Sequence, residues 1–192
     1  MCNHLWIERQ QQKHAEKLLD LRLLFDPASL GEKHPTDQIG AIFGGEAHMV
    51  RWGLIPSWAK EQPTVLMTNA RAESVAEKPA FRGLLDSNRC LIPATGFYEW
   101  PGKHKTAITR ADGETMFFAG LWDEWRGQKS ATIITTDPSE WMASIHFRMP
   151  LILEVDEALK WLNGGREEAL SMVRIHDPAL VAESADGQGS LF

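Results

Sequence analysis

A mixed α+β fold in one domain is the architecture this sequence predicts, and three observations predict it. Short apolar runs are punctuated by turn signals at Gly44-Gly45, Asp112-Gly113 and Gly127, the pattern of short strands joined by hairpins. Segments with helical spacing lie near the two ends, at about residues 8–25 and 156–174. The 192 residues, 43% hydrophobic and 24% charged, suit one core and leave little room for a second. The domain is expected to span residues 1–183. A flexible tail should follow over 184–192, polar and glycine-rich until Leu191-Phe192.

Composition excludes several classes of protein. No apolar run reaches membrane length, and the first twenty residues, rich in Gln, Lys and Glu, do not resemble a signal peptide, so a cytoplasmic protein is expected. The two cysteines, Cys2 and Cys90, make neither a disulfide framework nor a zinc site, and the seven histidines show no ligand spacing. No metal and no cofactor are expected. A net charge of -6 argues against coating nucleic acid indiscriminately. A local basic site is still compatible with it, because residues 48–106 carry eight cations against five anions.

At the start of the chain, Cys2 follows Met1. Were Met1 removed, Cys2 would carry an α-amine and a thiol on neighbouring carbons. An α-amine is neutral at pH 7 roughly 300 times more often than a lysine amine, so it condenses readily with an aldehyde. The sulfur can then close on the imine carbon to give a thiazolidine. Taken alone, Cys2 is more simply a residue that happens to follow the initiator.

The remaining elements read in order. Residues 8–25 predict an amphipathic helix closed by Asp26-Pro27. The segments on either side of Gly44-Gly45 predict a hairpin, whose second strand runs into Trp52-Gly53-Leu54-Ile55-Pro56-Ser57-Trp58. Two tryptophans in such a loop either stack on bases or pin the loop to the core, with Trp58 the more exposed. Thr68 to Glu73 predicts a helix start with Asn69 as a cap, interrupted by Pro79, and a second helix burying Phe81, Leu84 and Leu85. Arg71 has Glu73 and Glu77 as available partners.

Arg89 to Trp100 predicts strand, turn, strand, with Phe97 and Glu99 on one face and Tyr98 and Trp100 on the other. A carboxylate among aromatics needs a cation beside it or carries a raised pKa suited to proton transfer. Asp112-Gly113 predicts a hairpin joining strands near residues 104–110 and 114–122, and another strand is expected at 130–136. His146 and Arg148, two apart, would point the same way in extended chain. Helices are expected at 156–163 and 166–174.

Together, Met1-Cys2, the Trp52 to Trp58 loop, Asn69-Ala70-Arg71-Ala72-Glu73, Cys90-Leu91-Ile92-Pro93 with Gly96-Phe97-Tyr98-Glu99-Trp100, Phe118-Ala119-Gly120-Leu121-Trp122 and Ile145-His146-Phe147-Arg148-Met149-Pro150 closely resemble the SOS-response-associated peptidase family. The resemblance implies a curved, barrel-like antiparallel sheet with peripheral helices. It also implies a monomer that removes Met1 and cross-links Cys2 to abasic sites in single-stranded DNA. Cys2 would be the nucleophile, Asn69 would orient it, Glu99 would relay protons and His146 would promote opening of the sugar ring. Arg71 and Arg148 would grip phosphates, while Trp52 and Trp58 would offer rings to bases.

This chain departs from the family pattern at Asn3 and His4, where glycine and arginine are usual, at Phe147, where an acid is usual, and at Lys33-His34-Pro35-Thr36, which shortens a longer family stretch. Gln188 to Phe192 resembles a sliding-clamp binding peptide, with Gly189 where leucine is usual. Two other readings stay open: a thiol peptidase acting on other proteins, and a noncatalytic reader of damaged or modified DNA.

Overall fold

The computed structural model describes residues 2–22 and 25–185. In chain order the elements are β1 (Leu5–Ile7), α1 (Arg9–Leu19), β2 (Gly31–Lys33), β3 (Gln38–Phe43), β4 (Glu46–Trp52), β5 (Asn69–Arg71), α2 (Ala72–Val75) and α3 (Leu84–Ser87). Then come β6 (Arg89–Ala94), β7 (Gly96–Glu99), β8 (Thr106–Arg110), β9 (Met116–Trp125), β10 (Gln128–Thr136), β11 (Met149–Pro150), β12 (Ile152–Leu153), α4 (Val155–Asn163), α5 (Arg166–Met172) and β13 (Leu180–Ser184).

Five strands pair in a closed ring. β10 lies beside β4, β4 beside β3, β3 beside β6, β6 beside β9, and β9 returns to β10. Closure leaves these strands without a free edge. The ring is antiparallel except at β4–β10, where the pair is parallel, with Ser130 opposite Arg51. Parallel neighbours need a long connection, and here the chain between them includes two of the five barrel strands, β6 and β9. A second sheet, ordered β13-β8-β7-β1-β2, flanks the barrel.

The barrel strands read as continuous apolar runs because both of their faces are buried. Ile39, Ala41, Cys90, Ile92, Phe118, Ala131 and Ile133 point into one core together with Trp52 and Cys2. Ile42, Leu91, Ala119, Leu121 and Ile134, one register step away, pack on the other side against Ala15 and Leu19 of α1 and Trp161 of α4. The period of two thus divides one sequence run between two cores. Gly96 lies where β1, β7 and β8 meet, and a Cβ there would run into the Trp6 ring and the Ile108 carbonyl.

The α+β barrel expectation holds, with several local differences. α1 stops at Leu19 because Asp20 adopts a left-handed conformation (φ 51°) and its N–H turns back to the Lys17 carbonyl, a helix ending that Asp tolerates better than most residues. Asn69 to Arg71 is a strand, paired in parallel with Ile133 to Thr135, so Asn69 caps no helix. The Asp112-Gly113 turn exists, yet β8 and β9 do not pair. β8 is taken by β7 and β13, and Arg110 holds the Asp112 carboxylate at 2.7 Å, so the turn passes the chain from one sheet to the other. The hairpin into β10 uses Arg126-Gly127 instead, pairing Trp125 with Gln128.

β13 extends through Ser184, and the Ala185 N–H donates to the Lys105 carbonyl at 2.7 Å, so ordered pairing includes residues 184 and 185, which were expected to open the tail. The clamp-like peptide Gln188 to Phe192 lies outside the described residues. Among the described residues, no helix is long and apolar enough to cross a membrane, and no cluster of three His, Cys, Asp or Glu side chains could hold a metal ion.

Candidate active site

β1 runs antiparallel to β7, with Leu5 opposite Phe97. The Tyr98 N–H donates to the His4 carbonyl at 2.8 Å. This pairing carries the first residues alongside Glu99, at the end of β7. Glu99 shares the inward face with Phe97 and is buried, whereas Trp100 is exposed, as the alternation predicts. Burial pushes the Glu99 carboxyl above the usual carboxylate range, against the opposing pull of His146.

His146 Nε2 stands 3.8 Å from Glu99 Oε2. The histidine sits in a tight turn, not in extended chain, with its Nδ1 3.0 Å from both the backbone nitrogen and the carbonyl oxygen of Arg148. That one peptide segment satisfies Nδ1 in either charge state, since the N–H donates to neutral imidazole and the carbonyl accepts from imidazolium. The ring can therefore gain or lose a proton while keeping its orientation.

Cys2 is fully buried. Its thiol is pushed well above the ordinary cysteine range, first by desolvation and then by the charge of Glu99, while the His4 backbone N–H offsets this in part. Asn69 holds the same residue from the other side: its amide donates to the Cys2 carbonyl at 3.1 Å and to Asn3 Oδ1 at 3.0 Å. Thr68 joins this network through its hydroxyl, 3.1 Å from Asn3 Oδ1. The buried Asn69 Oδ1 has no hydrogen-bond partner among the described residues. Cys2, Asn69, Glu99 and His146, far apart in sequence, are thus assembled at one place.

The four candidate DNA-contacting residues divide. Arg71 is exposed and shares a face of β5 with Asn69. Arg148 is only 5% exposed. Its guanidinium donates to Asp137 at 2.7 Å, to Glu73 at 2.9 Å and to the Thr135 carbonyl at 2.7 Å. A phosphate would have to displace a carboxylate to reach it, and its side chain does not share a direction with that of His146. Trp52 is buried, with its indole N–H on the Thr68 carbonyl at 3.0 Å, so it is a core residue that supports Asn69 from behind and cannot stack on a base.

Trp58 is 65% exposed. Its loop is pinned on both sides of the ring, by the Ser57 N–H on Asp123 (2.7 Å) before it and by the Ala59 carbonyl, which accepts from the Trp125 indole N–H (2.7 Å), after it. With Val65, Leu66, Met67, Phe81 and Asn69 it lines a groove of about 440 Å³, which connects the tryptophan loop to the Cys2 cluster.

Residues 1–184 match the SOS response associated peptidase (SRAP) family. The chain belongs to that family. It is 48% identical over 144 residues to the abasic site processing protein YoaM of Bacillus subtilis, covering 67% of this chain and 63% of YoaM. It is 34% identical over 162 residues to the abasic site processing protein HMCES of Gallus gallus, covering 65% of this chain and 48% of HMCES. The match therefore spans about half to two thirds of the length of these relatives. Among solved structures, a Bordetella bronchiseptica protein superposes with a TM-score of 0.85 at 25% identity, covering 97% of this chain and 100% of that one. A Bacteroides thetaiotaomicron protein does so at 0.80 and 27%, covering 95% and 91%.

Some parts of this SRAP site were not visible in the sequence. His4 is buried between His34 and Tyr98, with ring centroids 4.0 and 4.5 Å away, and its Nε2 meets Glu32 at 2.8 Å. Burial lowers the His4 pKa, with Glu32 working against the shift. Lys105 lies over the Tyr98 ring at 3.8 Å. This cluster fixes the backbone two residues after Cys2 and places an imidazole where the family usually has an arginine. Only the departure at His4 signalled it.

Proposed function

We propose that this chain captures abasic sites in single-stranded DNA by forming a thiazolidine through Cys2 after removing its own Met1. The observation that carries the reading is the convergence of the Asn69 amide and the buried Glu99 carboxyl on Cys2, with His146 facing Glu99. The names of the relatives, abasic site processing proteins, point to the same substrate.

Water first adds to the Met1–Cys2 peptide carbonyl, and the bond to the Cys2 nitrogen breaks, releasing methionine. Glu99 accepts a proton from the water and returns it to the leaving amine. Asn69 Oδ1, an acceptor left open, then holds the new amine. His146 moves a proton at the sugar ring oxygen, so that the ring opens to its C1′ aldehyde. The neutral amine condenses with that aldehyde, losing one water. The sulfur then adds to the imine carbon while its proton passes to nitrogen, and the five-membered ring closes.

The fully buried thiol favours this reading over a peptidase acting on other proteins, whose nucleophile must meet an extended substrate. Release of Met1 removes the residue bonded to the Cys2 nitrogen and so opens the side from which an aldehyde approaches.

The test uses one oligonucleotide with an abasic site and one with a tetrahydrofuran spacer that has no aldehyde. The expected product is a heat-stable adduct on the first only, with the mass of the chain lacking methionine plus the DNA less one water. An adduct on both, or on neither, overturns the proposal. Arg71 is the cation placed for a phosphate beside the cluster. Arg71→Ala is expected to reduce the steepness of log affinity against log salt by about 0.7, one single-strand phosphate contact, read by fluorescence anisotropy.

A further inference from the structure

Phe147 is 68% exposed, yet it does not belong to a loose surface segment. One face of its ring stacks on His146, with centroids 4.4 Å apart and planes 27° from parallel. The next residue is tied down on both counts already described, through the Arg148 backbone to His146 Nδ1 and through the Arg148 side chain to Glu73, Asp137 and the Thr135 carbonyl. A rigid turn thus presents an uncharged aromatic face to solvent, one ring beyond the histidine that faces Glu99.

We propose that Phe147 is a specificity-determining residue that stacks on the nucleobase next to the lesion and makes capture depend on the presence of that base. This inference rests on the proposed capture of abasic DNA. An abasic nucleotide whose C1′ lies at Cys2 has no base of its own, so the neighbouring base loses a stacking partner on the side of the gap. Phe147 extends the His146 ring into that vacant position, and stacking of a base on an aromatic side chain needs no hydrogen-bond code. A purine offers the larger π face. The carboxylate usual in the family at this place would instead repel the adjoining phosphates, whereas the phenyl ring carries no charge toward them.

The experiment measures cross-linking rate against DNA concentration for oligonucleotides whose single abasic site is flanked by adenines or by tetrahydrofuran spacers. Wild type is expected to half-saturate at about 5- to 150-fold lower concentration with adenines, the range that one stacked base supplies. Phe147→Ala should bring the adenine-flanked substrate to the level of the spacer-flanked one with its maximal rate little changed, Phe147→Trp should keep the preference, and Phe147→Asp should bind both more weakly than Phe147→Ala does. The same series is read as equilibrium binding with a tetrahydrofuran spacer in place of the abasic site, which has no aldehyde and so no covalent step, so a failure of the capture chemistry is told apart from a failure of the stacking role. Equal losses on both substrates in Phe147→Ala would overturn the proposal, leaving the ring as a support for His146. A change in self-association in place of the flank preference would overturn it too.

Discussion

Cys2→Ser is expected to abolish the heat-stable adduct while leaving a weaker one that appears only after borohydride reduction. Serine keeps the α-amine once Met1 is gone, so an imine still forms with the sugar aldehyde. What it lacks is the sulfur, and a hydroxyl closes on an imine to a ring that reopens readily in water. The substitution changes little else, since the side chain is nearly isosteric and lies at a fully buried position already held by Asn69 and by strand pairing. Denaturing gels run with and without prior reduction separate the two species. Survival of the heat-stable band in Cys2→Ser would show that another nucleophile makes the bond.

Glu99→Gln is expected to slow both Met1 release and adduct formation by about 10²- to 10⁴-fold, the usual contribution of a placed acid–base group, and at the same time to make the protein more stable. In the folded chain the Glu99 carboxyl titrates above its ordinary range because burial disfavours the charge. A group raised in this way supports folding fully below its unfolded pKa, and that support is lost as pH rises through the folded pKa. Glutamine has no charge to desolvate. The gain in melting temperature should therefore be small at acid pH and largest above the shifted pKa, while the wild-type rise of Met1 release with pH should flatten in the variant. Intact mass spectrometry across pH follows the release, and thermal melting follows the stability. A variant both less active and less stable at neutral pH would mean that Glu99 is held as a structural ion pair.

Parts of this site were legible because they follow a short-range rule. Alternation alone placed Phe97 and Glu99 on one face of β7, and an apolar run flanking Gly44-Gly45 gave the hairpin whose second strand ends at Trp52. Asn69-Ala70-Arg71-Ala72-Glu73 misled because its residues are good helix formers behind a good cap, and the pairing with Ile133 that makes a strand of its first three residues lies more than 60 positions away. β13 escaped notice for the opposite reason: four of its five residues are exposed, so an edge strand held by backbone pairing to β8 leaves no hydrophobic pattern. The state of Arg148 was hidden by separation as well. A cation is plain in the sequence, but one of the carboxylates that neutralise it, Glu73, is 75 residues away.

The sequestered sulfur of Cys2 has a consequence for the working life of the molecule. Peroxides and soluble electrophiles attack the thiolate, and they do so where solvent can reach it. A sulfur without exposed surface, in surroundings that hold its proton on, escapes both conditions. Until Met1 is released, the folded chain should thus keep this sulfur unspent in an oxidising milieu, and on the proposed reading the chemistry that damages bases would leave the residue that captures the resulting lesion intact.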